Sequence, residues 1–250
     1  MKRGLPMPVL LAPFRSRNAV AISNMLRTYP AFWQPRFWTS LPLARQAQAR
    51  GAMQKVRELA PLIGLLRRRS PRVVVEIGTA RGGTLFAWCR VAQPDAVIVS
   101  IDLPGGRFGG GYTSEDISML QRHGRPEQRL HFIRDDSHAA RTRARLEDIL
   151  QGEKIDFLMI DGDHTYDGVK QDFEMYAPLV ADGRVIAFHD ILPHPHEVSC
   201  EVDRFWNEIK HGYRHLELLD EYRDPLGHQY GGIGILYWET RSSSDRAEPI

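Results

Sequence analysis

Ile160-Asp161-Gly162-Asp163-His164, read together with Phe188-His189-Asp190, decides the fold of this 250-residue chain. Each stretch closes an apolar run, 155–160 and 184–188, that reads as a buried strand. Open α/β sheets bind ligands beyond the carboxyl ends of their strands. Two such ends on neighbouring strands would gather Asp161, His164, His189 and Asp190 around one crevice. That set suits a metal site, a general base or both, and it points to an enzyme.

Working outward, strands and helices alternate. Short strands are read at 72–77, 96–101 and 130–133, with helices at 84–91, around 114–122 and at 137–150. Tyr166, Val169, Phe173 and Tyr176 recur at near-helical spacing, as do Val198, Val202, Phe205 and Ile209. Ahead of the first strand, Val56, Leu59, Ile63 and Leu66 share a helical face, with Pro61 expected to kink or restart it. Residues 215–219 and 233–238 have no helical pattern between them and read as a closing antiparallel pair. Repeated βα units on short connections predict an α/β fold, a doubly wound, mostly parallel sheet with helices on both faces.

Three parts follow from the pattern: a basic segment at 1–50, a main domain at 51–240 and a loose, Ser-rich tail at 241–250. From Met1 to Val56 there are nine Lys and Arg and no Asp or Glu, which leaves 24 basic and 31 acidic residues for the rest. Rich in Pro and carrying Phe14, Phe32, Trp33, Phe37 and Trp38, the first segment shows no sustained period. It reads as irregular: a lid over the site, a contact in a homo-oligomer, or a peripheral contact with an anionic membrane. Nine charges over 56 residues make no concentrated basic face, so no nucleic-acid partner is expected. No apolar run nears the roughly 20 residues of a transmembrane helix. Pro6, Pro8 and Pro13 interrupt the one stretch like a signal peptide, and Cys89 and Cys200 are too few for a disulfide framework; a cytoplasmic protein is expected.

Glu76-Ile77-Gly78-Thr79-Ala80-Arg81-Gly82-Gly83 follows the first strand. Its glycines permit a sharp strand-to-helix turn and close approach of a ligand to the peptide groups. The spacing is wrong for the G-x-G-x-x-G of a dinucleotide site, and Glu76 would repel a pyrophosphate while suiting a ligand with a positive or amino group. A tight turn without a ligand is the plain alternative. Asp102, ending the second strand, stands where an acidic side chain accepts ribose hydroxyls.

These pieces carry a resemblance. E-I-G-T-A-R-G-G, V-S-I-D, R-D-D-S-H, I-D-G-D-H-T-Y-D-G-V-K-Q-D-F and I-A-F-H-D-I, in this order, are similar to class I S-adenosylmethionine-dependent methyltransferases. More narrowly, they resemble the branch with cephalosporin-hydroxylase-like and sugar or macrolide O-methyltransferases. The resemblance covers about residues 55–238 and implies a Rossmann-like sheet of seven strands whose last strand is antiparallel. It also implies S-adenosyl-L-methionine as cofactor. Glu76, Gly78, Thr79, Ala80 and Gly82 would then lie against its methionine part, Asp102 would hold its ribose, and Asp136 with Ser137 would lie near its adenine. Asp135 stands where many relatives have glycine, which leaves open which aspartate faces the cofactor.

Asp161, His189 and Asp190 fall where the metal-dependent relatives place their ligands. Those relatives carry an Asp-Asn pair on the fifth strand, so His-Asp is a departure. Mg²⁺ prefers oxygen, whereas imidazole also suits Mn²⁺, Fe²⁺ or Zn²⁺. Mg²⁺ or Mn²⁺ is the leading assignment, and a site with histidines and no metal stays open. His164 takes the place of a lysine that deprotonates the substrate hydroxyl; an imidazole suits that work near neutrality. A histidine that caps a helix or orients Asp161 is the alternative. Asp163 and Asp167 read as helix-start charges, and His194 and His196 as a solvated loop, the substrate mouth or further ligands. The expected activity is methyl transfer to a hydroxyl of a small molecule or glycosyl unit; an oxygen-dependent hydroxylase-like enzyme and a non-catalytic cofactor-binding protein are the rivals.

Overall fold

A computed structural model describes residues 35–108, 110–195 and 199–239. Most of the basic segment, His196, Val198 and the tail lie outside these residues.

The described chain runs α1 (Pro35–Gln48), α2 (Val56–Arg69), β1 (Val73–Ile77), α3 (Gly83–Val91), β2 (Val97–Asp102), α4 (Ile117–Gln121), β3 (Arg129–Arg134), α5 (Ala140–Leu150), β4 (Ile155–Ile160), α6 (Tyr166–Tyr176), β5 (Val180–Leu192), α7 (Val202–Ile209), β6 (Arg214–Leu218) and β7 (Gly231–Tyr237). The strands form one seven-stranded sheet in the order β3-β2-β1-β4-β5-β7-β6. β1 to β5 pair in parallel, and β7 lies antiparallel between β5 and β6. The α/β fold with its antiparallel last strand is therefore as expected. Strand order reverses between β1 and β4, and the ligand crevice of an open sheet forms at such a switch point.

Central strands carry apolar residues on both faces because helices cover both. Val73 to Ile77 are all buried, Glu76 included. One layer joins α1, α2 and α3 to the sheet through Leu59, Ile63, Leu85, Trp88 and Phe157. The other packs α5, α6 and α7 through Leu146, Phe173, Phe205 and Trp206. Truncating a core leucine such as Leu59, which is fully buried, would remove about 2–5 kcal/mol.

Two features differ from the sequence pattern. Part of the segment without a period, Pro35–Gln48, is helical, with Leu43, Ala44 and Ala47 buried against the core. Alanines and an internal Pro42 hide that face from a search for large apolar residues. β5 runs to Leu192, so His189 and Asp190 lie within the strand rather than beyond it. The ladder to β7 shifts register between His189 and Leu192, and Asp190 has φ +59°. This bulge holds a non-glycine residue in left-handed backbone, a local strain of the kind found at functional sites.

Candidate active site

The β1–α3 turn and the end of β4 meet at Gly78. A Cβ there would lie 1.9 Å from the Asp161 carbonyl oxygen, and φ is +84°, so only glycine fits. Asp161 N–H donates to the Ile77 carbonyl at 2.8 Å, which locks the two strand ends together. An open cleft of about 280 Å³ lies over this junction, lined by Gly78, Ala80, Asp102, Asp136, Ser137, His138, Asp161 and His164 among others.

The cofactor residues expected from the sequence divide into two groups. Gly78, Ala80, Asp102, Asp136 and Ser137 line the cleft. Glu76 and Thr79 are buried and off its lining, and Gly82 faces Leu120. Both Glu76 oxygens are engaged, Oε1 by Trp88 Nε1 at 2.6 Å and Oε2 by Thr79 Oγ1 at 2.8 Å. Complete burial pushes Glu76 up to about 7, against the bonds from Thr84, Trp88 and Thr79. Ser100 Oγ extends the chain by donating to Thr79 Oγ1 at 2.7 Å. This network braces the turn from beneath. Asp102 braces it from the side, since its Oδ2 accepts from the Thr79 and Ala80 N–H groups at 2.7 and 2.6 Å.

Asp135 and Asp136 are distinguished by their partners. Arg141 clamps both Asp135 oxygens at 2.5 and 2.6 Å, whereas Asp136 Oδ1 accepts from the His138 N–H. His138 lines the cleft as well. Its Nε2 lies 3.3 Å from Asp172 Oδ1, a carboxylate with no exposure. Asp172 lifts His138 to about 9 although partial burial opposes the charge.

The imidazole and carboxylate groups converge as the sequence implied. His164 stands 3.4 Å from Asp161 Oδ1 through Nε2 and 3.4 Å from Asp190 Oδ2 through Nδ1. His189 Nδ1 lies 3.1 Å from Asp161 Oδ1 and 3.4 Å from Asp190 Oδ2. All four residues are nearly enclosed. Burial opposes charge on His164, but Asp161, Cys200 and Asp190 overcome it and lift the ring to about 10. His189 is raised well above the usual range in the same way, by Asp190 and Asp161 against burial. Burial would raise both aspartates, yet His189 and His164 hold them low. Ligand atoms of Asp161, His189 and Asp190 lie within 4.8 Å of one another, as do those of His164, Asp190 and Cys200. His164 Nδ1 is buried with no hydrogen-bond partner. The carboxylate oxygens and imidazole nitrogen of Asp161, His189 and Asp190 are a donor set that fits a divalent cation.

Three participants were not read from the sequence. Gln54 Nε2 donates to Asp161 Oδ2 at 2.6 Å. Glu58, on α2, has no exposure and faces His189 Nε2 at 3.9 Å. Phe108 stacks on His164 with ring centres 4.8 Å apart and planes 18° apart, closing the cleft beside the histidine. Their separation along the chain hides all three. His194 packs edge-on against Tyr230 and its charge acts on Asp190, so it borders the cluster.

The strand order and the glycine turn at its switch point make a doubly wound, Rossmann-like architecture. Residues 75–191, just under half of the chain, match the family described as Methyltransferase domain. The uncharacterized protein y4gI of Sinorhizobium fredii (strain NBRC 101917 / NGR234) is 28% identical over 172 residues. That match covers 67% of this chain but 17% of y4gI, so the chain spans less than a fifth of its curated relative. An O-methyltransferase from Bacillus cereus, solved with SAH, superposes with a TM-score of 0.53 at 16% identity, covering 88% of this chain and 96% of that one. CalS11, a TDP-rhamnose 3'-O-methyltransferase of calicheamicin biosynthesis, gives 0.50 at 19% identity, covering 82% and 95%. At these identities the likeness is one of fold. Among the described residues no helix is long and apolar enough to cross a membrane.

Proposed function

We propose that this chain transfers a methyl group from S-adenosyl-L-methionine to a hydroxyl of a small molecule or glycosyl unit, with a divalent cation, Mn²⁺ or Mg²⁺, at the site. One observation carries the reading: His164 lines the same cleft as Gly78 and Asp102 and also lies against Asp161 and Asp190. A proton acceptor, a cation-binding set and the donor's cleft therefore share one edge.

In this reading Gly78 and Ala80 meet the methionine part, Asp102 the ribose, and Asp136 with Ser137 the adenine edge. Glu76, Thr79 and Gly82 act through the turn they brace. Bound there, S-adenosylmethionine supplies the sulfonium methyl and leaves as S-adenosylhomocysteine. Asp161, His189 and Asp190 would hold the cation, which supplies a lowered hydroxyl pKa and offsets the carboxylate charge that otherwise keeps His164 protonated. His164 takes the hydroxyl proton as the oxygen attacks the methyl. Phe108, stacked on His164, excludes water from that face. Holding donor and acceptor at attack distance supplies much of the acceleration.

The test uses methyl-labelled S-adenosylmethionine, a panel of glycosyl and phenolic acceptors, and added Mn²⁺. His164→Ala is expected to keep cofactor affinity and to lose about 10²–10⁴-fold in turnover, the usual contribution of a general base. Unchanged turnover would remove His164 from the mechanism.

A further inference from the structure

The cluster is clasped from behind by one short segment that lies outside the matched domain. Gln54 precedes α2 and takes Asp161 Oδ2 at 2.6 Å, which leaves Oδ1 facing His189 and His164. Glu58, on the first turn of α2, faces His189 Nε2 at 3.9 Å, while Nδ1 of the same ring faces Asp161 and Asp190. The two sides of the imidazole are thus divided: one toward the proposed cation, the other toward a carboxylate. A metal-bound histidine nearly always gives its second ring N–H to such a partner, which fixes the tautomer and the ring plane.

Helix capping does not account for Glu58. It does accept from the Lys55 N–H at 3.2 Å, as a residue three places into a helix often does. A cap works equally well in solvent, however, and this carboxylate is fully buried. Its Oε1 has no hydrogen-bond partner, and Lys55 Nζ, at 3.5 Å, offsets its charge. Burying a carboxylate carries a large desolvation penalty; His189, Lys55 and the Gly232 backbone oppose it, and of these only His189 belongs to the cluster.

We propose that Gln54 and Glu58 are positioning residues of the cation site: Gln54 presents Asp161 Oδ1 and Glu58 presents His189 Nδ1. The site therefore favours a nitrogen-accepting divalent ion such as Mn²⁺ over Mg²⁺. This rests on the cation reading given above.

The test is Mn²⁺ binding to the full chain, followed by loss of the free-ion electron paramagnetic resonance signal, with S-adenosylmethionine affinity measured in parallel. Glu58→Gln keeps the side chain's shape and a capping oxygen. It is expected to weaken Mn²⁺ about 10–100-fold, the usual effect of losing such a partner, and to leave cofactor affinity within about twofold. In a His189→Asp background there is no ring to orient, so adding Glu58→Gln should no longer weaken Mn²⁺ and should relieve carboxylate repulsion. His189→Asp alone should lose the preference for Mn²⁺ over Mg²⁺. If the unaltered chain binds no Mn²⁺ at millimolar concentration, the cation reading falls and takes this inference with it. If it binds and Glu58→Gln binds equally well, the positioning role alone falls. Should Glu58→Gln not melt cooperatively, Gln54→Met carries the test, and undiminished Mn²⁺ affinity there overturns the proposal.

Discussion

Gly78→Ala tests the junction on which the site is built. The new methyl carbon would stand 1.9 Å from the Asp161 carbonyl oxygen, 2.4 Å from its carbon and 2.8 Å from Gly162 Cα. All three are backbone atoms, so no side chain can swing away. Relief to 3.0 Å requires the end of β4 to retreat by about 1 Å, carrying Asp161 with it. Gly152 supplies the control, because its φ of +85° matches the +84° of Gly78 and nothing lies within 4 Å of its added Cβ. Gly152→Ala should pay only the left-handed penalty of about 1–2 kcal/mol. In a domain of this size that lowers the melting temperature by about 2–8 °C. Gly78→Ala should lose clearly more and should also lose S-adenosylmethionine affinity. Its turnover should fall about 10²-fold, as follows from misplacing a reacting group by 1 Å. Scanning fluorimetry and calorimetric titration read both effects. Equal melting shifts for the two variants, with cofactor affinity retained in Gly78→Ala, would refute the close approach.

Other expectations concern the buried charges. Glu76 is raised from 4.5 to about 7, so the folded state holds its proton more tightly, and stability due to this group is present below pH 4.5 and lost as pH rises to about 7. Glu76→Gln should remove that dependence; the difference between wild type and variant should change by about 3 kcal/mol between pH 4 and 8 in urea melts, and a flat difference would contradict it. His138 is raised to about 9, so its pairing with Asp172 stabilises fully below pH 6.5 and is lost as pH passes 9. Asp172→Asn should flatten the fall in melting temperature between pH 7.5 and 10, and an unaltered profile would dissociate the pair. Phe108→Ala should raise acceptor KM more than it lowers cofactor affinity; the reverse order would place the ring on the cofactor instead.

Much of this was legible in the sequence, for stated reasons. Strand ends could be read because acidic and imidazole groups interrupt apolar runs at Asp161 and Asp102, and a ligand crevice follows from such ends. The inward direction of Glu76 was not legible. β1 is buried on both faces, so alternation carries no facing information and a ligand-facing carboxylate looks like one that braces a turn. The bulge at Asp190 escaped because Asp in a strand sequence gives no signal of its φ of +59°. Gln54 lies 107 residues from Asp161, and no local period reports a contact at that distance. Glu58 reads as an ordinary first-turn acid of a helix, and only the packing of α2 against β6 and β7 brings it to His189.

The central claim is that the Gly78 turn and the Asp161–His164–His189–Asp190 cluster form one site for a methyl donor and a cation. Isothermal titration of the chain with S-adenosylmethionine, with and without Mn²⁺, tests it most directly. Saturable binding to one site is expected in both conditions, lost in Asp102→Ala, with a separate Mn²⁺ isotherm lost in Asp190→Asn. No binding of S-adenosylmethionine at millimolar concentration would contradict it.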